Sequence, residues 1–437
     1  MEKNRNKAVR IFLSGVESVL PDKMIYNTLT LEKDRLSIQG KNYLLDEIEH
    51  IYVLGAGKAS ALMGQAVEAI FGERISGGVI IVKYGHDCPL QRITVRQAGH
   101  PTPDEAGFNA TKELVAIAAQ AEEEDLVICL FSGGGSSLMA DYPEGSCPED
   151  ISRLNALLLH SGADIHELNA VRKHLSRVKG GQLAKTIYPA KVISLMLSDV
   201  IGDPPDVIAS GPTAPDSSTF QEAWNVIQKY DLSTRIPDSL KSYLLKGLGG
   251  KEPETPKIDD DVFNRVDNLI IGSNRLALQT AQRTAIELGY KTEIITSSLA
   301  GDVNEVCADL LSLIQSRKDE KSPLCILLGG EPTVKVTGSG LGGRNQHLAL
   351  LLAQHISGFE KEICILVAGT DGTDGPTVAA GAVIDRETVC RGEKKGLTLQ
   401  HYIDNFDAYH YFKIIDELLV TGSTKTNVMD MIVVLIG

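Results

Sequence analysis

Leu130–Met139 reads LFSGGGSSLM. It extends an apolar run from Leu126 to Phe131, the length of a buried strand, and then releases three consecutive glycines flanked by three serines. A strand that empties into Ser132-Gly133-Gly134-Gly135-Ser136-Ser137 sets bare main-chain amides and hydroxyls at its carboxyl end, where α/β sheets bind their ligands. Such a loop suits an anion. A tight turn built from small residues for close packing accounts for the same letters, although a glycine triplet with hydroxyls on both sides favours the cradle.

Upstream lies a second passage of the same kind. His50 to Leu54 is apolar and extended, Gly55-Ala56-Gly57-Lys58 follows, and a helical period begins at Ala59. The spacing is close to a dinucleotide fingerprint, but Ser60 stands where the third glycine belongs, and no acidic residue ends a second strand at the required distance. Lys58 adds a point charge to a glycine turn; a solvated surface lysine is the competing reading. Between the two passages, His100-Pro101-Thr102-Pro103-Asp104-Glu105 is a turn into a helix with Asp104 as N-cap, and His100 reads as a loop imidazole held by backbone hydrogen bonds.

Downstream, Asn169 to Lys179 carries Arg172, Lys173, His174, Arg177 and Lys179 beside Gly180-Gly181. Such a run is either a solvated helix face or the wall of an anion site. The apolar strand Lys191 to Leu197 then delivers Asp199, followed by Asp203 and Asp206 on a Gly/Pro-shaped loop. Asp199, at the strand terminus, is placed to orient a hydroxyl or a hydrated cation, whereas turn chemistry before proline explains the other two equally well. The polar, proline-rich stretch 249–261 reads as a linker.

Beyond it the strand and helix alternation resumes, which argues for α/β architecture in both halves. Gly329-Gly330-Glu331 and Gly338 to Gly343 bracket a glycine-rich segment that enters a helix at Arg344-Asn345-Gln346, a position suited to bidentate phosphate recognition. Gly369 to Pro376 holds Asp371 and Asp374 in two Asp-Gly pairs, readable as a magnesium or phosphate loop or as a plain multi-turn. Met431 to Ile436 reads as a strand central to the second sheet.

Composition narrows the function classes. The 437 residues are 43% hydrophobic and 23% charged, as in a globular protein of two or three domains. A net charge of −14 disfavours nucleic acid and anionic membrane as partners. Seven cysteines without a C-x-x-C pair fit reduced core residues and a cytoplasmic location, and the amino terminus reads as an amphipathic helix rather than a signal peptide or membrane span. Walker, protein-kinase, zinc-protease and nucleophile-elbow motifs are missing. What recurs is glycine-rich loops at strand ends accompanied by cations and carboxylates, the combination that phosphoryl transfer requires.

GAGKAS, HPTPDEAG, LFSGGGSSLM, NAVRKHLSRVKGG, SDVIGDPPDVIASGPT, GGEPTV, GGRNQ, AGTDGTDGP and TNVMD, in this order, resemble the glycerate 2-kinase family, whose carboxyl half is the MOFRL domain. The resemblance implies a two-domain α/β fold: a Rossmann-like parallel sheet over residues 1–248, a smaller MOFRL-type domain over 262–437, and an active site in the cleft between them. It implies an ATP- and Mg2+-dependent kinase that phosphorylates the 2-hydroxyl of D-glycerate, with Lys58 and Arg344 as catalytic cations. Asp199 is expected to orient or deprotonate that hydroxyl. Gly55, Gly57, Ser132, Gly133, Gly134, Gly135, Ser136, Ser137, Arg172, Glu331 and Asn345 are expected to contact substrate or phosphate, and Asp371 and Asp374 to hold the metal. Small molecules, not nucleic acid or membrane, are the expected partners, and a homodimer is left open. Two rivals remain: an NAD(P)-dependent hydroxypyruvate reductase, a label that family members have also carried, and a non-catalytic module that binds a sugar acid or phosphate.

Overall fold

The structure, a computed structural model, describes residues 2–437. It divides into two compact units, neither contiguous in sequence. The first comprises Met24–Ser198 and Asp203–Ile271; the second gathers the residues up to Lys23, Asp199–Gly202 and Gly272–Gly437.

The first unit opens with a small antiparallel meander, β1 (Leu29–Glu32), β2 (Arg35–Ile38) and β3 (Lys41–Leu44). Its main sheet holds β4 (Ile51–Ala56), β5 (Ile75–Lys83), β6 (Thr94–Ala98), β7 (Leu126–Phe131), β8 (Lys191–Leu197) and β9 (Val266–Gly272), in the order β6-β5-β4-β7-β8-β9. The pairings from β6 through β8 are all parallel. Every residue of β7 is buried, as a strand covered on both faces requires, which explains its continuous apolar run. The chain winds outward from β4 through β5 and β6, then returns to lay β7 on the other flank of β4. Between β4 and β7 the winding therefore reverses, and there the carboxyl ends of adjacent strands open a crevice.

A helical layer built from Pro148–Ser161, Ile165–His174, Phe220–Lys229 and Asp238–Leu248 closes around Leu158, Val171, Leu240 and Leu244, with Trp224 packed against it. The segment 249–261 is not a free linker. Thr255 is buried and donates to Asp216 (2.9 Å), the Asp216 amide donates to the Pro256 carbonyl (3.0 Å), and Glu254 accepts from the Phe220 amide (3.0 Å). Its polar composition suggested solvent, but these groups find partners inside the fold. Beyond it, β9 completes the first sheet, so the partition falls after Ile271 rather than between 248 and 262.

The second unit holds β10 (Lys291–Leu299), β11 (Leu324–Gly330), β12 (Ile363–Gly369), β13 (Gly381–Asp385), β14 (Leu418–Leu419) and β15 (Asp430–Ile436), ordered β10-β11-β15-β12-β13-β14. β10 and β11 are parallel, whereas β15 runs antiparallel to both its neighbours and lies at the centre, buried along its whole length. The sheet is therefore mixed. The helix Glu2–Ser18 also belongs here, contrary to the expected 1–248 domain. It buries Ile11, Phe12 and Val16, and Gly15 lets its backbone approach Ala277 and Met431, where a Cβ would come within 2.9 Å of both. An amphipathic stripe at the start of a chain announces a packing face but not its partner. Among the described residues no helix is long and apolar enough to cross a membrane.

Phe12 is fully buried in this contact. Phe12→Ala is expected to cost about 3–5 kcal/mol, and hydrogen exchange should show faster exchange in the helix Asn274–Glu287 while β4 and β7 keep their protection.

Candidate active site

The glycine loops after β4 and β7 are locked to each other. Ala56 pairs with Phe131 across the strands; beyond that pair the Ser132 amide donates to the Ala56 carbonyl (3.2 Å) and the Lys58 amide to the Gly133 carbonyl (3.0 Å). The Ser132 hydroxyl accepts from the Ala59 amide (3.0 Å) and bonds the Ser60 hydroxyl (3.1 Å). Gly57, at φ 144°, has no room for a side chain, because a Cβ would overlap Ser132. Gly55 sits inside β4 with its missing Cβ facing the Leu130 carbonyl at 2.6 Å. Gly55, Gly57 and Ser132 thus bring the loops together, and the amides of Gly57, Lys58 and Ala59 are spent on protein acceptors.

The second loop differs. Among the described residues, the amides of Gly133, Gly134 and Ser136 have no acceptor, while Gly135, Ser137 and Leu138 close a short turn. Ser136 joins a hydroxyl chain to Ser210 (2.8 Å) and Asn169 (3.1 Å), and Ser137 donates to the Gly134 carbonyl (3.1 Å). Gly134 is left-handed (φ 85°), and a Cβ there would lie 2.7 Å from His100 Nε2 and 3.5 Å from Lys58 Cε. Lys58 therefore runs alongside the unused amides, and its ammonium makes no ion pair among the described residues. A cation and converging donors without internal acceptors can serve as a cradle for an anion.

His100 shares that cradle. Burial, then the positive charge of Lys58 and Lys83, holds its imidazole down at about 4, so the ring is neutral near pH 7. No backbone hydrogen bond holds it, in contrast to the expectation from the sequence. The basic segment divides sharply. Lys173 pairs with Asp216 (3.2 Å) and Asp206 (3.3 Å), His174 with Glu254 (2.9 Å), Arg177 with Glu144 (3.5 Å) and Lys179 with Asp141 (3.4 Å). Arg172 alone has no carboxylate; its Nε donates to Asn155 (2.9 Å). Asp199, half-buried, opens the loop just beyond β8.

In the second unit Arg344 begins the helix Arg344–Ile356. Asp430, the first residue of β15, grips its guanidinium through two bonds (2.6 and 3.0 Å), and Glu331 takes Nη1 at 3.1 Å. Burial opposes the charge, but Asp430 outweighs it and holds the group above its ordinary range. Asp374 does not face an ion. It is buried across the start of the same helix and accepts from the amides of Asn345 (3.1 Å) and Gln346 (2.8 Å) and from the Gln346 side chain (3.0 Å). Asp371 accepts from its own turn at Thr373 (2.9 Å). The Asp374 oxygens are thus committed to the helix start, an arrangement that caps the helix rather than offering ligands to a cation. The helix start is likewise closed to phosphate by its own carboxylate, with the Asn345 amide committed to it.

Residues 7–245 match the domain of unknown function DUF4147, and residues 324–430 match the MOFRL family. The D-glycerate 2-kinase of Thermotoga maritima is 40% identical over 100% of this chain and 99% of that relative. The glycerate 2-kinase of Pyrococcus horikoshii is 37% identical over 99% of this chain and 97% of its own. A crystal structure of glycerate kinase from Thermotoga maritima matches at TM-score 0.89 and 38% identity, covering 100% of both chains. The chain belongs to the glycerate 2-kinase family.

Two side-chain placements are not legible in the local sequence, those of Asp430 and His100. Asp430 stands alone before an apolar strand, and that isolation was the available signal. His100 gave none, since nothing local tells that its ring faces Gly134 and Lys58. Ser60, where a dinucleotide site would want glycine, is buried and bonded to Ser132, so the first glycine turn is built for locking loops.

The juxtaposition of Lys58 and His100 can be read directly. The His100 ring should titrate near pH 4 by NMR, and Lys58→Ala should move that midpoint upward, because removing a neighbouring cation favours the protonated imidazole.

Proposed function

We propose that this chain transfers the terminal phosphoryl group of ATP to the 2-hydroxyl of D-glycerate, giving 2-phospho-D-glycerate and ADP. The observation that carries the reading is the Lys58 ammonium, without an ion-pair partner, beside the unused amides of Gly133, Gly134 and Ser136 at the switch point of a parallel sheet. Family membership over the whole chain supplies the reaction class.

In this mechanism the glycerate 2-hydroxyl oxygen attacks the terminal phosphorus, the bond to the ADP oxygen breaks, and the hydroxyl proton passes to the Asp199 carboxylate. Lys58 and Arg344 spread the charge that gathers on the moving phosphoryl oxygens. Arg344 is held rigidly by Asp430, which is almost fully buried, while Glu331 is the more exposed partner. A phosphoryl oxygen therefore replaces Glu331 on Nη1 and leaves the bidentate pair intact. Magnesium is proposed as a companion of the nucleotide phosphates; Asp374 is committed to the helix start, and no step here passes through the ion. The sequence has no C-x-x-C pair, and Cys129, Cys307, Cys325 and Cys364 are buried thiols of the core, which supports a cytoplasmic setting.

Lys58→Ala should lower kcat by about 10²–10³-fold, and Arg344→Lys, which keeps the charge but loses the fork, by about as much or more. Both variants should retain the wild-type melting temperature within a few degrees. ADP release is the readout, with nicotinamide absorbance run in parallel on hydroxypyruvate. Unchanged ADP release in Lys58→Ala, or turnover seen only with the nicotinamide, would sink the proposal.

A further inference from the structure

A cavity of about 480 Å³ opens inside the first unit against the same glycine loop. We propose that it holds the base and sugar of the nucleotide, with Arg172 on a phosphate, so that the three-carbon acid binds elsewhere. This rests on the phosphoryl-transfer reading above.

Size and lining both point this way. The volume lies in the range of about 300–1,000 Å³ typical of sites that enclose ligands of drug size. A three-carbon acid, polar on every carbon, would leave most of it to water. One wall is formed by Ile151, Leu154, Leu159 and Leu175. Glycerate has no apolar surface to set against these side chains, whereas a nucleobase has two flat faces that leave water favourably.

The polar groups gather at the other end, where Gly134, Ser136 and Ser137 meet Arg172. Of the five cations in its segment, Arg172 is the one left without a carboxylate, and Asn155 holds it by Nε so that its two terminal nitrogens remain for a ligand. A partly buried guanidinium without a counter-ion is costly, and an anion arriving in the cavity removes that cost. Lys179, the other cation in the wall, is already neutralised by Asp141. From the cavity the path to Lys58 runs past Gly134, where an added Cβ would meet both His100 and the Lys58 stem. A nucleotide laid along this path has its base among the leucines, its inner phosphates at Arg172 and the loop amides, and its terminal phosphate at Lys58.

Calorimetric titration of the full chain with ADP, in the absence of glycerate, tests the assignment. Wild type should bind; Arg172→Gln should weaken ADP by about 10–100-fold through loss of a charged hydrogen bond. Ala156→Trp, at an exposed helix position lining the cavity, should fill the slot and abolish binding without unfolding the chain. In steady-state assays both variants should raise KM for the nucleotide and leave KM for glycerate unchanged. Unaltered ADP affinity in Ala156→Trp, no ADP binding by wild type, or a rise confined to the glycerate KM would overturn the assignment. ADP binding that is lost in both variants, from a chain that phosphorylates no glycerate, would support the cavity while removing the acid from the proposed reaction.

Discussion

One hydroxyl organises the first unit. Ser132 Oγ takes the Ala59 amide and the Ser60 hydroxyl, and it can do so because Gly57 has no side chain in the way. That contact draws two strand ends into one surface and fixes the backbone from which Lys58 projects. The first loop spends its Lys58 and Ala59 amides on the second loop and its Gly57 amide on the Ile81 carbonyl of β5, so only the second has any left to offer. The division of labour follows: one turn contributes a charge and the other contributes dipoles. The parallel sheet makes this geometry available, since adjacent strands with the same direction end side by side.

The second unit solves a different problem, that of keeping a cation rigid without neutralising its use. Arg344 is gripped on one edge by the nearly inaccessible Asp430 and on the other by the more open Glu331. The helix that carries it would ordinarily attract anions at its start, but Asp374 fills that place from within. Burial pushes the Asp374 carboxyl up, to about 6, against the pull of the amides it caps, with the neighbouring Asp430 charge adding to the rise. Two internal carboxylates thus fix this region from within, Asp430 on the guanidinium and Asp374 on the helix start.

What the chain's letters disclose follows the range over which each interaction acts. Glycine triplets, apolar strands and the Asp104 cap are local patterns, and they located both loops and most strands correctly. Pairings over long separations leave no such trace. Asp374 looked like a metal ligand because an Asp-Gly turn and a helix-capping carboxylate share the same spelling, and its partners lie 28 and 29 positions away. The stretch 249–261 looked like a linker because polarity records neither the buried Thr255 nor the carbonyl of Pro256 that Asp216 uses. The basic run was visible as five cations; that only one lacks a counter-ion depended on acidic residues scattered from Asp141 to Glu254.

The placement of Glu2–Ser18 bears on how the protein is made. This helix packs beside Met431, at the start of the strand that sits in the middle of its sheet. The ribosome therefore releases the Met431 side of that contact long after the helix itself. Until Asn274–Glu287 emerges the apolar stripe of the helix has no native surface to cover it, and until β15 follows, β11 and β12 wait with a gap between them. The first unit can be fully assembled during that interval. Completion of the second is a late event, gated by the arrival of β15.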